Sequence, residues 1–152
     1  MTTPTTPPTT SPQATWNVLC FAMLMGVFSL SAVMAGLSLS GQQKPAALSQ
    51  ALVMGLVGFA VLLLALGPIL EAKLRGRDDD TLIAQARVVD SPEAFQRWSQ
   101  PRLIGLAVTE AAGLIGGVLI LLTGSLVYLG LTALSLASLA LSWKRGRDEL
   151  AR

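Results

Sequence analysis

Four apolar stretches dominate this chain: Trp16 to Leu39, Ala46 to Leu70, Leu103 to Thr123 and Leu126 to Trp143. An α-helix needs about 20 apolar residues to cross the hydrocarbon core of a bilayer. Helices and closed barrels are the only forms that satisfy their backbone polar groups there. The sequence therefore predicts an all-α fold, a polytopic membrane protein with a four-transmembrane-helix bundle and a helical cytoplasmic loop over 71–102. Composition agrees. Only 13% of the residues are charged and 52% are hydrophobic, whereas a soluble domain carries about 25% charged residues. That is too few charges to cover an aqueous surface.

The flanks set the threading. Residues 1–15, MTTPTTPPTTSPQAT, carry no charged side chain and are rich in Thr and Pro, which predicts a disordered tail. They lack the basic start of a signal peptide. Gly124 and Ser125 are the whole connection between the third and fourth stretches, so those two helices must run antiparallel. Of the eleven Lys and Arg residues, all but Lys44 fall in the middle segment or in the basic tail 144–152. The positive-inside bias then places both termini and the middle segment in the cytoplasm. The expected location is a bacterial inner (plasma) membrane. Trp16, Trp98 and Trp143 are expected as interfacial anchors.

Within the middle segment, Asp78-Asp79-Asp80-Thr81 reads as a helix start, with Leu82 to Val89 as a short helix. Calcium loops alternate their ligands and carry a Gly and a terminal Glu; this run does neither, and no metal site is expected. Ser91-Pro92-Glu93 is a clearer start, with Ser as N-cap and Pro in the first turn. It opens a short helix carrying Phe95 and Trp98 on one face, suited either to the headgroup boundary or to capping the bundle. Ser99-Gln100-Pro101 is expected to restart the chain before the third span.

Glu110 is the one ionisable residue inside the span Leu103 to Thr123. A carboxyl at that depth is costly and marks a function or a partner. Seven residues at 1.5 Å each put it roughly 10 Å into the span. Ala107, Gly113 and Gly117 share its helical face and form the expected helix-packing face, since small residues permit close approach in membranes. No Lys or Arg lies within any span. Glu110 is therefore expected to be neutral and to donate a hydrogen bond. Its candidate polar partners are Ser29, Ser31 and Ser38 in the first span and Tyr128, Thr132, Ser135, Ser138 and Ser142 in the fourth. Thr109 and Arg102 lie on its own helix.

The chemistry excluded is broad. There is no histidine, which removes His-based acid–base, triad and zinc chemistry. Cys20 is the sole cysteine, so the chain holds no internal disulfide. A net charge of +2 gives no argument for nucleic acid. No nucleophile–base pair or phosphate loop is present, so no enzyme is read and no cofactor is implied. The partners expected are the lipid bilayer and a second copy or another membrane protein.

Ala107-Val108-Thr109-Glu110-Ala111, followed by Gly116-Gly117-Val118, resembles the carboxylate helix of subunit c of the F-type ATP synthase. There a membrane carboxylate carries a proton or sodium ion, and the preceding loop ends near an Arg-Gln-Pro triplet; here Gln100-Pro101-Arg102 stands before the span. Subunit c has two spans and a short loop. Over most of its length, the chain resembles a group of small bacterial four-span membrane proteins of uncharacterised activity, whose third span carries a similar Glu and ends in Leu-Leu-Thr-Gly, here Leu121 to Gly124. Small multidrug-resistance transporters share the count of four spans and one membrane Glu, placed in their first span. Two functions follow as expectations. One is a structural or accessory interaction protein whose Glu110 fixes helix packing; the other is a proton- or cation-coupled carrier using Glu110.

Overall fold

A computed structural model describes residues 11–41, 49–75 and 92–151. Among them the fold is all-α, and four helices are each long and apolar enough to cross a membrane. We label them α1 (Pro12–Leu39), α2 (Gln50–Arg75), α3 (Pro92–Thr123) and α4 (Leu129–Leu150). A single 3₁₀ turn, Leu126–Tyr128, leads into α4. This is the architecture of a multi-pass membrane protein.

Helix starts follow local chemistry. The Ser11 hydroxyl accepts the Ala14 N–H at 3.2 Å, and Pro12 fills the first helical position. The tail expected over 1–15 is thus helical from Pro12 onward, four residues before the anticipated start at Trp16. The Leu52 N–H similarly meets the Ser49 hydroxyl at 3.3 Å as α2 begins. Between α3 and α4, Gly124 adopts φ +68°, a left-handed value that glycine takes without strain. Its N–H bonds to the Ile120 carbonyl at 2.8 Å. The tight antiparallel hairpin expected from Gly124-Ser125 is what forms.

α2 begins at Gln50, later than the expected Ala46, with Ser49 outside the helix; other helix ends run longer than expected. α2 does not fray at Gly67-Pro68 but runs through to Arg75. α3 does not restart at Pro101; it is continuous from Pro92, with Pro101 in its interior. α4 continues past Trp143 to Leu150 and absorbs most of the basic tail. A proline removes one intrahelical hydrogen bond, and contacts around it decide whether the helix survives. Gly67, Trp98, Ser99, Arg102 and Gly146 are all buried, so packing holds these turns against local propensity. Residues 71–75 and 92–102 of the middle segment thereby belong to α2 and α3. The aspartate run, the helix expected over Leu82 to Val89 and the Ser91 cap lie outside the described residues.

α3 is the axis of the bundle. Half of its apolar stretch is buried, against 11–17% in the other three helices. It packs on α1, α2 and α4, and α1 also packs on α4. α1 and α2 scarcely touch, and α2 meets α4 only marginally. Trp16 lies against Trp98 and Gly146 at one end, and Ser38 bonds to Gly124 at the other. The helices therefore alternate in direction, with the start of α1, the end of α2, the start of α3 and the end of α4 together. Every described Lys and Arg, from Lys73 to Arg147, sits at that basic end.

Polarity is distributed as lipid solvation requires. Phe21, Phe28, Phe59, Leu62 and Leu134 point outward, each more than half exposed. Ser31, Thr109, Thr132 and Ser135 are buried inside. A contiguous apolar exterior of this kind would be an interaction or aggregation surface in water; in a bilayer it faces the solvent. Inside, small residues let backbones approach. A Cβ on Gly67 would stand 2.9 Å from the Gly105 carbonyl oxygen, and one on Gly105 would stand 2.9 Å from Glu71 Cβ. These glycines make the α2–α3 crossing.

Candidate functional site

Glu110 is half-buried on α3 and turned towards α1. Its Oε1 lies 3.4 Å from the point a Cβ on Gly26 would occupy, so the carboxyl rests against α1 where the helix has no side chain. No described residue hydrogen-bonds to it. The neighbours expected to do so are engaged elsewhere. Ser135 Oγ donates to the carbonyl of Thr109 at 2.7 Å, and Ser31 Oγ pairs with Thr132 Oγ1 at 3.4 Å. Ser38 Oγ donates to the Gly124 carbonyl at 2.8 Å. Thr109 Oγ1 turns back to the Gly105 carbonyl at 3.0 Å. Tyr128 sits in the 3₁₀ turn at the far end of the bundle, and Ser29 is exposed. The polar groups inside the bundle thus satisfy one another without Glu110.

Two of the three residues of the expected packing face, Gly113 and Gly117, lie at helix contacts. Gly113 lies against Val27 and Ser135, where an added Cβ would come within 2.8 Å and 2.6 Å respectively. Gly117 lies against Leu30 and Ser31. Ala107, by contrast, is exposed. It belongs to an uncovered sector of α3 that runs along Gln96, Gln100, Ile104, Ala107 and Val118. Part of that sector forms a shallow depression also lined by Leu103. The sector is open because α1 and α2, its two flanks, do not close over it. Glu110 stands at its α1 edge, and Ala22, Gly26 and Ser29 are exposed on the adjoining face of α1.

Arg102, a candidate partner for Glu110 on the sequence, is instead committed to the basic end. It is only 2% exposed. Its guanidinium lies 4.2 Å from the centroid of the Trp98 ring, donates to the Trp98 carbonyl and pairs with Glu149. Glu149 also accepts from Arg75 Nη2 at 2.5 Å, and Arg75 Nε is 4.0 Å from Glu71. One carboxylate therefore ties α2, α3 and α4 together. Glu149 lies beyond Trp143 at the end of α4. Burial alone would push its carboxyl up, but the hydrogen bonds and charges of Arg75 and Arg102 outweigh this and hold it below the usual range.

The tryptophans are not simple interfacial anchors. Trp16 and Trp98 are fully buried at 0% and 1% exposure, edge to face with centroids 5.0 Å apart. Phe95 stacks on Trp98 at 5.8 Å. A Cβ on Gly146 would stand 2.6 Å from the Trp16 ring, so the indole occupies the space this glycine leaves. Trp143 is half-buried and donates its N–H to Asn17 Oδ1 at 2.8 Å. Large rings pack together at the basic end of the bundle, an arrangement that fits the capping reading of Phe95 and Trp98.

Glu149 and the Gly67–Gly105 crossing were not among the expected site residues. Gly105-x-x-x-Thr109 is a small-xxx-small pair that could have drawn attention. Glu149 gave no such signal. No family model, curated protein or solved structure matches the chain.

Proposed function

We propose that this chain is an accessory interaction protein of a bacterial inner membrane that docks a membrane helix of another protein on the uncovered face of α3. One observation supports this reading above others. Glu110 carries the only carboxyl deep in the apolar region, rests at the edge of the open sector and has no hydrogen-bond partner among the described residues, while the internal Ser and Thr groups are already paired. A carboxyl left in hydrocarbon is costly; a docked helix bearing a polar side chain at that level removes the cost. The flanking surface suits the role, since Gly26, with no side chain, and Ala107, with a single methyl, are exposed and permit close approach. In this reading Glu110 acts between chains rather than fixing the pairing of helices within one. The asymmetry of Lys and Arg supports an orientation with both termini in the cytoplasm.

The test is co-purification with site-specific photocrosslinking. A crosslinker at Ala107 should capture a membrane protein that one at Phe59, on the outer face of α2, does not. Glu110→Ala should lower that capture severalfold, and Glu110→Gln, which keeps a hydrogen-bonding group, should restore most of it. The carrier reading makes the opposite forecast. There Glu110→Gln abolishes ion-dependent flux in proteoliposomes, a hydrophobic carbodiimide labels Glu110 in a proton- or sodium-protected manner, and partner capture does not change. That pattern would falsify the docking function.

A further inference from the structure

α2 and α4 flank α3 at the basic end but hardly touch each other, and a cleft opens between them. α2 supplies Pro68, Glu71 and Arg75; α4 supplies Ser138, Ser142 and Arg145. Both helices run towards the basic end, so the lining is graded with depth. The two arginines stand at the mouth, Glu71 and Ser142 about one turn below, and Pro68 and Ser138 another turn down. At 1.5 Å per residue the whole gradient spans roughly 10 Å. Beneath it Leu134 continues the α4 stripe of Ser138, Leu141 and Arg145, and Leu134 and Leu141 are about 60% exposed, at 61% and 58%.

The charges in the cleft do not balance. Arg75 is held by Glu149 and by Glu71, which accounts for both carboxylates. Arg145 is exposed and forms no ion pair among the described residues. The hydroxyls of Ser138 and Ser142 make no hydrogen bond there either. A guanidinium and two hydroxyls therefore converge on one cleft as unused donors, above an apolar seam and at the level of Trp143. A phosphate accepts from exactly such donors: charge-assisted bonds from Arg are strong and directional. Basic pockets between membrane helices are suited to phospholipid headgroups.

We infer that the α2–α4 cleft binds the phosphate of an anionic glycerophospholipid, with Arg145, Ser142 and Ser138 on the phosphate and glycerol and an acyl chain lying along Leu141 and Leu134. The depth gradient distinguishes this occupant from free phosphate, which has no use for the apolar seam below. Arg75, already committed to Glu149, forms the wall of the site and contributes little to its affinity.

Native mass spectrometry of the full chain in neutral detergent, titrated with phosphatidylglycerol or phosphatidylcholine, tests this. The intact chain should take up one phosphatidylglycerol saturably and in preference to phosphatidylcholine. Arg145→Gln should weaken that binding about five- to tenfold, the loss of one charge–headgroup contact of roughly 1 kcal/mol or slightly more. Ser142→Leu, which fills the cleft without changing charge, should weaken it too, and Arg145→Lys should retain most of it. Lys144→Gln removes the same charge one residue away from the lining and should leave binding within about twofold. Equal losses in Arg145→Gln and Lys144→Gln would reduce the effect to diffuse charge and overturn the site. Lack of preference for phosphatidylglycerol, or its displacement by millimolar inorganic phosphate, would overturn it equally.

Discussion

Replacing Gly67 with alanine adds one methyl group at the α2–α3 crossing, and the structure gives that methyl nowhere to go. It would collide with Thr109 Oγ1 and stand 2.9 Å from the Gly105 carbonyl oxygen. Neither obstacle can yield cheaply. The carbonyl is backbone, and the Thr109 hydroxyl is tethered to that same carbonyl at 3.0 Å. The helices must separate instead. Overpacking of this kind costs about 1–3 kcal/mol. Gly58 on the same helix is the control, because a Cβ there meets nothing within 4 Å. Both substitutions share the helix-propensity gain of alanine over glycine, roughly 1 kcal/mol, so it cancels in the comparison. The two variants should differ by about 2 kcal/mol, or about thirtyfold in the unfolding constant. Reversible unfolding in mixed micelles, followed by circular dichroism, measures the difference. If Gly67→Ala is as stable as Gly58→Ala, the α2–α3 contact is not the close backbone crossing described above.

Glu149→Gln removes the carboxylate shared by Arg75 and Arg102 and leaves Arg102 buried without its counter-ion; a loss of about 2–3 kcal/mol is expected, at the lower end for a broken pair because Glu149 is partly exposed. The sign of the pH effect follows from the lowered carboxyl. Stability from this cluster is present above the unfolded carboxyl value, about 4.3, and is lost as pH falls through the lower folded value. Melting temperature should hold down to about pH 5 and drop below it, and Glu149→Gln should flatten the acid limb. Trp16→Ala empties a fully buried ring site and should cost about 3–5 kcal/mol by thermal unfolding. Ser135→Ala, which removes one interhelical hydrogen bond to the Thr109 carbonyl, should cost only about 0.6 kcal/mol; a loss as large as that of Trp16→Ala would mean the polar interior dominates stability.

The number of helices, their alternation and the hairpin at Gly124 were legible because each rests on a local signal: apolar length, a turn too short for any other return, and the grouping of Lys and Arg. Helix ends were not, because Pro68 and Pro101 look like terminators and only the burial of Gly67, Trp98 and Arg102 carries the helices through them. That Glu110 sits well inside the third stretch, beside Gly113 and Gly117, could be read from spacing. Its isolation could not. The sequence contains serines and threonines enough to serve it, and only the three-dimensional register commits Ser135 to Thr109 and Thr132 to Ser31. The full burial of Trp16 was hidden for a related reason: tryptophan near a span end suits an interface or a core equally, and the glycine that admits its ring lies far along the chain at Gly146.

The two-residue link at Gly124 and the Arg102–Glu149 pair sit at opposite extremes of the same two helices. A rod pair bolted at both tips has no freedom to slide lengthwise. α1 is tied to that pair at both ends as well, by Ser38 on Gly124 and by Trp143 on Asn17, so any rearrangement that opens or shuts this protein must pivot α2, and a spectroscopic ruler between α3 and α4 should read one constant distance whatever is bound.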